Sequence, residues 1–220
     1  MFVLASNSPR RKELLALSGW HFLVQPADID ESVLPEDTAE GYVRRISERK
    51  ARGTQNMLPQ DGAPERFVLA CDTAVVDGSL ILGKPTDTDD AGRMLLRLRG
   101  RTHQVYSVLT VIDKQDGSLS QELCVTDVPM RNYADEEMQV YIESGDPMDK
   151  AGAYAIQHPG FRPVEGISGC YANVMGLPLC HLVRSMEKFG VEPHRDVPQA
   201  CQDVLGYSCP VYGRILNNEM

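Results

Sequence analysis

Two arginines follow a serine and a proline near the start of the chain, in the stretch Ser8-Pro9-Arg10-Arg11. Ser as the N-cap and Pro at the first helical position are typical of a helix N-terminus, where free backbone N–H groups attract an anion. Guanidinium groups at that end oppose the helix dipole but recognise phosphate in a bidentate manner. The stretch therefore predicts a phosphate site built from Ser8, Arg10 and Arg11. The alternative is a capped surface helix with two solvated arginines.

Two lysines are the next candidates for binding phosphate. Lys50 follows Val43 and Ile46 at helical spacing, so its side chain projects from the apolar face of a helix. It either extends to the edge of that face or lines a cleft beside the core. Lys84 lies in a Gly-Lys-Pro turn that would hold an ammonium group in place; the alternative is an ordinary surface turn.

Acidic side chains occur at two positions that could serve a metal ion or a water molecule. Asp72 follows the apolar run Phe67–Cys71, and a carboxylate there packs poorly but suits a site that holds Mg²⁺ or activates water. The alternative is an aspartate that caps its own turn. Asp28, Asp30 and Glu31 offer a second acidic cluster, for which the alternative is a solvated surface run.

An amide side chain follows a group of small residues further along the chain. The small residues Ala151–Ala153 would let the backbone approach a ligand closely, and the amide of Gln157 could then pair with the edge of a base. The alternative is a buried packing loop.

The composition limits the classes of protein to consider. With 220 residues, 42% of them apolar and 24% charged, the chain is long enough to bury a compact core. The net charge of −9 opposes a nucleic-acid interface, which needs a cationic stripe. It allows a small polyanion where cations or a metal ion are concentrated locally. Together, the arginines, lysines and carboxylates predict phosphoryl chemistry with a divalent ion.

The sequence also predicts a compartment. No apolar run is long enough to span a bilayer, and the N-terminal apolar stretch precedes its charges, the reverse of a signal peptide. The six cysteines are scattered without zinc-site spacing and are expected to be reduced thiols. These features predict a cytoplasmic protein with no membrane partner.

Alternating strands and helices must position the candidate residues. Periodicity and turn signals predict strands over 2–5, 67–71, 102–113, 121–132 and 161–168, a hairpin over 74–82, a loop over 55–65, and helices over 8–19, 38–53, 88–98, 135–144 and, as the last helix, 177–188. Asp72 is thus expected at a strand end or bend. The order predicts an α/β fold with a mixed sheet, in one domain over residues 1–190 followed by a tail over 191–220.

Seven stretches of the sequence, in the same order, resemble the motifs of the Maf family of nucleoside triphosphate pyrophosphatases. They are Leu4-Ala5-Ser6-Asn7-Ser8-Pro9-Arg10-Arg11 with Glu13-Leu14-Leu15; Asp28-Ile29-Asp30-Glu31-Ser32; Ser47-Glu48-Arg49-Lys50-Ala51; Asp72-Thr73; Gly83-Lys84-Pro85; Asp149-Lys150-Ala151-Gly152-Ala153-Tyr154-Ala155-Ile156-Gln157; and Tyr171-Ala172-Asn173-Val174-Met175-Gly176-Leu177-Pro178-Leu179. The resemblance extends from Leu4 to about Val183, most of the chain.

The resemblance implies a fold shared with the inosine triphosphate pyrophosphatases, an elongated mixed sheet flanked by helices, with the nucleotide in a cleft between two lobes. It implies Asp72 as the acidic catalytic residue, with Glu31, Lys50 and Lys84 around the triphosphate. Mg²⁺ or Mn²⁺, held partly by Asp72 and Glu31, is the expected cofactor.

Three residues match the subgroup of the family that acts on dTTP and UTP. They are Arg11, Thr73 and Gln157, and the resemblance implies that they determine base specificity. The chain departs from the family pattern at Cys71, where Ala is usual, at Tyr106-Ser107, where Thr-Gly is usual, and at His158-Pro159-Gly160, where Gly-x-Gly is usual. The first departure alters packing only, whereas the other two stiffen or crowd loops that border the base.

Two alternatives to a dTTP/UTP pyrophosphatase stay open. The 7-methyl-GTP subgroup differs from this chain at the three specificity positions. A non-catalytic nucleotide-binding regulator of cell division and septum formation, a role also associated with the family, would use the same pocket without needing Asp72. The resemblance is also compatible with a homodimer.

Overall fold

The computed structural model describes residues 1–59 and 64–219. Over these residues, one mixed sheet is formed by β1 Phe2–Leu4, β2 Phe22–Val24, β3 Phe67–Asp77, β4 Leu80–Leu82, β5 Thr102–Asp113 and β6 Leu119–Pro129. The strand order is β2-β1-β3-β5-β6, with β4 paired to β3. β1 runs parallel to β2 and β3, and the other pairs are antiparallel. The predicted α/β fold with a mixed sheet is confirmed.

The helices flank this sheet. They are α1 Pro9–Ala16, α2 Ala39–Met57, α3 Thr88–Leu98, α4 Asp135–Glu143, α5 Tyr171–Val174, α6 Leu179–Glu187, α7 Val197–Leu205 and α8 Tyr212–Leu216, with short 3₁₀ helices at Asp146–Asp149 and Ala151–Ala153. The predicted starts of the first two helices are confirmed, because the hydroxyls of Ser8 and Thr38 accept hydrogen bonds from the first turns of α1 and α2.

One edge of the central strand β3 is open in its middle. β1 pairs with the start of β3 at Phe67–Leu69, and β4 pairs with its end at Val75–Asp77. On the other edge, β5 pairs with β3 continuously from Phe67 to Val76. The expectation that Asp72 lies at a strand end or bend was therefore wrong. Asp72 is inside β3, opposite Val108, and the break that the sequence suggests exists only on the β1 side.

The two faces of β3 are covered differently. Side chains alternate along a strand, so the even-numbered positions of β3 face α2, where Ala51 packs with Val68 and Ala70. On the opposite face, Cys71 belongs to a large apolar cluster with α1 and α6, whereas Val75 belongs to a separate cluster with α3 and α4. The apolar core on this second face of the sheet therefore has two parts, which meet at the middle of β3.

Several element boundaries differ from the sequence prediction. The predicted strand over 161–168 is reduced to one bridge between Met130 and Val164, because Pro163 lacks an N–H donor and Arg162 has φ of 44°. The predicted loop over 55–65 begins later, since α2 continues to Met57, and residues 60–63 of it lie outside the described residues. Tyr106-Ser107, which the comparison with the family pattern placed in a loop, lies within β5, and the strand predicted over 102–113 is confirmed.

The helix over 177–188 is not the last one, as the sequence had suggested. Residues 191–219 contain α7 and α8, and Val197, Val211 and Ile215 are buried in the same cluster as α1 and α6. The division into a domain over 1–190 and a tail over 191–220 stays a prediction. Among the helices of the described residues, none combines the length and the apolar character that crossing a membrane requires.

Candidate active site

A cleft of about 690 Å³ opens at the middle of β3. All nine residues predicted for the site line it: Ser8, Arg10, Arg11, Glu31, Lys50, Asp72, Thr73, Lys84 and Gln157. The cleft forms here because neither β1 nor β4 covers the edge of β3 between Leu69 and Val75. Asp72 and Thr73 are adjacent, so their side chains enter the cleft from opposite faces of the sheet.

On the α2 face, one lysine bridges two carboxylates. The Nζ atom of Lys50 lies 2.7 Å from Oδ1 of Asp72 and 2.6 Å from Oε2 of Glu31. The Lys50 side chain is only 12% exposed, so it lines the cleft rather than extending to the edge of its helix. Asp72 is 4% exposed, and its second oxygen, Oδ2, is buried without a hydrogen-bond partner among the described residues.

This environment changes the acidity of Asp72. Burial, which disfavours the charged form, raises the pKa of Asp72 above its ordinary value. The charge and hydrogen bond of Lys50 and the charge of Arg11 oppose that effect, whereas the charge of Glu31 adds to it. The result is a carboxylate whose pKa is moved toward the range in which it can take up a proton during a reaction.

The segment that carries Glu31 is fixed to α2. The hydroxyl of Tyr42 donates to the backbone oxygen of Glu31 at 3.0 Å, and Arg45 donates to the backbone oxygen of Ser32 at 3.1 Å. Arg45 also forms an ion pair with Asp37. Sequence reasoning missed these residues, although Tyr42 and Arg45 fall on the helix that was predicted to carry Lys50.

On the opposite face, Arg11 is held by three hydrogen bonds. Its Nε donates to the backbone oxygen of Gly176 at 2.8 Å, and its terminal nitrogens donate to Oγ of Ser6 at 3.3 Å and to Oγ1 of Thr73 at 3.2 Å. Gly176 has φ of 106°, and a Cβ there would lie 3.4 Å from Nε of Arg11. The alternative of a solvated arginine is therefore wrong for Arg11.

The side chains of three predicted cleft residues make no hydrogen bond or ion pair with any other described residue: Arg10, Lys84 and Gln157. The half-buried Arg10 lies in the first turn of α1, whose N-terminus faces the cleft. Lys84 is exposed, but its turn is anchored because Gly83 accepts a backbone hydrogen bond from Gly152 at 3.0 Å. These side chains are available to a ligand.

A buried lysine, Lys150, also lines the cleft. Lys150 is 8% exposed, and its Nζ donates to Oδ1 of Asp149 at 2.6 Å and to Oδ1 of Asp146 at 3.0 Å. The hydroxyl of Tyr141 donates to Oδ2 of Asp146 at 2.8 Å. Because Lys150 is neutralised by two carboxylates, it stabilises the 3₁₀ segment. The small residue Gly152 permits close packing there, since a Cβ would lie 2.9 Å from Val75.

The carboxylates of the cleft can be tested as metal ligands. Among residues 1–59 and 64–219, no group of three or more His, Cys, Asp or Glu side chains is arranged to hold a metal ion. Asp72 nevertheless keeps one oxygen without a partner, and its other oxygen shares Lys50 with Glu31. Mg²⁺ commonly binds through one or two carboxylates together with substrate phosphates, so this pair fits such an ion.

Comparison with known proteins identifies relatives over most of the chain. The family model described as Maf-like protein matches residues 1–189. A dTTP/UTP pyrophosphatase of Chromobacterium violaceum is 44% identical over 189 residues, which cover 86% of this chain and 94% of the relative. A dTTP/UTP pyrophosphatase of Syntrophotalea carbinolica is 45% identical over 188 residues, which cover 86% of this chain and 84% of the relative. A third, from Hahella chejuensis, is 42% identical over 190 residues, covering 86% and 92%.

Proposed function

This chain belongs to the Maf family, and from that membership we propose that it is a nucleoside triphosphate pyrophosphatase that hydrolyses dTTP and UTP to the monophosphate and pyrophosphate. The observation that carries the proposal is the state of Asp72, which is buried, bonded through one oxygen to Lys50 and unpartnered at the other. A carboxylate with a free oxygen and a raised pKa is suited to accept a proton from water.

The cations of the cleft serve the triphosphate. Arg10 and Lys84 have no protein partner among the described residues, and the N-terminus of α1 adds backbone N–H groups beside Ser8. Lys50 carries its charge to the bottom of the cleft, next to Asp72. These groups stabilise the negative charge that develops on the phosphates as the bond to the leaving pyrophosphate breaks.

Asp72 and Glu31 are the residues proposed to hold a divalent cation, Mg²⁺ or Mn²⁺. When bound, such an ion supplies charge neutralisation for the triphosphate and lowers the pKa of water. Asp72 takes up the proton of the attacking water at Oδ2, while Lys50 keeps the carboxylate in place through Oδ1. The water oxygen bonds to the α-phosphorus, and pyrophosphate leaves with the bridging oxygen.

Base recognition is assigned to Gln157 and Thr73, which both line the cleft. Gln157 presents a free amide, and Thr73 presents a hydroxyl held beside Arg11. The relatives named dTTP/UTP pyrophosphatases support pyrimidine substrates for this chain. A small nucleotide is preferred over nucleic acid as the partner because the net charge is −9. The homodimer and the cytoplasmic location stay predictions.

The test is pyrophosphate release from dTTP, UTP, CTP, GTP, ITP and 7-methyl-GTP with Mg²⁺ or Mn²⁺, measured beside Asp72→Asn. We expect release from dTTP and UTP that requires the metal and is lost in the variant. A preference for 7-methyl-GTP would overturn the pyrimidine assignment. Nucleotide binding without any turnover would instead support the non-catalytic regulator.

A further inference from the structure

A chain of hydroxyl groups lies behind the cleft and ends on the backbone of α5. Oγ1 of Thr73 lies 2.8 Å from Oγ of Ser107, its partner across the β3–β5 pair. Oγ of Ser107 lies 3.3 Å from the backbone oxygen of Asn173. Ser107 and Asn173 are both fully buried, and the side-chain amide of Asn173 donates to the backbone oxygen of Val105 at 3.0 Å.

The positions of the protons in this chain follow from its two ends. The guanidinium of Arg11 can only donate, so Thr73 accepts at that end. A backbone oxygen can only accept, so Ser107 donates its single proton to Asn173. Ser107 must then accept from Thr73, whose single proton is directed into the protein. This arrangement forms all three hydrogen bonds of the chain and pairs the protons of both hydroxyl groups.

We propose that Ser107 is a positioning residue that fixes the hydroxyl of Thr73 as a hydrogen-bond acceptor toward the cleft, and thereby sharpens, in this chain, the selection of bases that carry an N–H group beside a carbonyl. With its proton committed to Ser107, Thr73 offers only oxygen lone pairs to a ligand. Three of the five N–H donors of Arg11 are used within the protein, and the others remain for the ligand.

The cleft thus presents a donor, Arg11, next to an acceptor, Thr73. Uracil and thymine show the complementary pattern, because the N3–H group donates and the adjacent carbonyl accepts. Cytosine shows the reverse at the same edge, since its N3 accepts and its amino group donates. A cytosine placed there would leave a buried acceptor facing an acceptor, and such unpaired polar groups are the strongest basis for rejecting a close analogue.

The inference rests on the proposed function and is tested by the ratio of kcat/KM for UTP to kcat/KM for CTP. In Ser107→Ala the hydroxyl of Thr73 is free to turn and donate to N3 of cytosine. We expect the ratio to fall about 10- to 100-fold, mainly because kcat/KM for CTP rises. A change of this size is expected when one mismatched hydrogen bond is relieved. In a Thr73→Val background, Ser107→Ala should leave the ratio unchanged, because no hydroxyl remains to be oriented.

The control variant is Ser185→Ala, which removes another fully buried serine hydroxyl, bonded to Oγ of Ser120 at 2.9 Å between α6 and β6. It should keep the wild-type ratio. Equal losses with UTP and CTP in a folded Ser107→Ala variant would show a merely structural role and overturn the inference, as would an unchanged ratio.

A second measurement needs no variant and covers the case in which Ser107→Ala does not fold. UTP methylated at N3 lacks the N–H donor, so the wild-type protein should process it at least about 10-fold less efficiently than UTP. Equal turnover overturns the inference and leaves the proposed function standing. A wild-type protein that releases no pyrophosphate from UTP or CTP overturns the proposed function itself.

Discussion

Asp72 and Thr73 are neighbours in β3, but the two faces of the strand surround them in opposite ways. Asp72 is a buried carboxylate with one oxygen unpartnered and a raised pKa. The hydroxyl of Thr73 has polar partners on both sides, Arg11 and Ser107. A side chain that must change its protonation benefits from incomplete pairing, whereas one that must recognise a base benefits from a fixed hydrogen-bond direction.

The residues that surround Asp72 and Thr73 also differ between the two faces of β3. On the Asp72 side, the partners are charged, and the Glu31 side chain is 51% exposed, so the ion-pair arrangement can adjust when a ligand arrives. On the Thr73 side, the guanidinium of Arg11 faces the cleft, but the partners behind Thr73 are the hydroxyl of Ser107 and the backbone oxygen of Asn173, and Ser107 and Asn173 are fully buried. The first face is suited to chemistry and the second to discrimination.

The largest effect is expected from Asp72→Asn. The amide keeps the shape of the side chain but cannot accept a proton from water or carry the negative charge. We expect a loss of about 10²- to 10⁴-fold in kcat, the range of general base catalysis, measured as pyrophosphate release from UTP. A variant that retains more than about a tenth of wild-type kcat would contradict the assignment of Asp72.

The same variant has a predicted effect on stability, measured on the metal-free protein. Because the folded-state pKa of Asp72 is raised, its stabilising contribution is complete below the ordinary carboxyl pKa and is lost as the pH rises through the folded value. At pH 7, Asp72→Asn should therefore unfold at a temperature equal to or above that of the wild type. The difference in Tm between the variant and the wild type should shrink in acid. A Tm of the variant below that of the wild type at pH 7 would contradict the predicted direction of the effect.

A smaller loss is expected from Lys50→Met, which removes the cation that holds Asp72. Without Lys50, the pKa of Asp72 rises further, so the acidic limb of the kcat/KM profile should move to higher pH. We expect about 10²-fold lower kcat/KM at neutral pH, partly restored at alkaline pH. Lys188→Met is the matched control, because Lys188 pairs with Glu122 away from the cleft.

The two faces also differ in how much of them could be predicted from the sequence. Asp72 stands out because a carboxylate interrupts an apolar strand, and Lys50 because its helical spacing places it on an apolar face. Both signals are local. Ser107 and Asn173 give no such signal, because a buried serine or asparagine becomes meaningful only when a partner distant in sequence lies beside it.

The errors in the fold have the same origin. The hairpin over 74–82 was identified correctly, but the continuity of β3 depends on pairing with β5, which local patterns do not reveal. The two helices after residue 191 were missed, although Asp196 caps α7 and Gly206 ends it with φ of 57°. Those end signals were present in the sequence, but the short helices lack a long apolar period and depend on packing.

After Lys50→Met, the next largest effect is expected from Arg11→Lys, and Arg10→Lys serves as its comparison. A lysine cannot reproduce the fork that joins Arg11 to Gly176, Ser6 and Thr73, so we expect it to lower the free energy of unfolding by about 1–3 kcal/mol and kcat/KM by about 10- to 100-fold. The Arg10 side chain has no hydrogen-bond or ion-pair partner among the described residues. Arg10→Lys should change stability by less than about 0.5 kcal/mol. Chemical denaturation and UTP kinetics of both variants would test the difference, and equal stability losses would contradict it.

The smallest effect is expected from Gln157→Ala. This variant tests whether the exposed Gln157 side chain contributes to binding of the base or to the reaction itself. The Gln157 amide makes no hydrogen bond within the described residues, so its removal should change the free energy of unfolding by less than about 0.5 kcal/mol. If the amide pairs with the base, KM for UTP should rise by about 5- to 10-fold with kcat nearly unchanged, because one exposed hydrogen bond is lost in the ground state and the transition state alike. A fall in kcat at constant KM would instead show that Gln157 acts in the reaction, as Asp72 does. The proposed difference in role between the two faces of β3 would then be wrong.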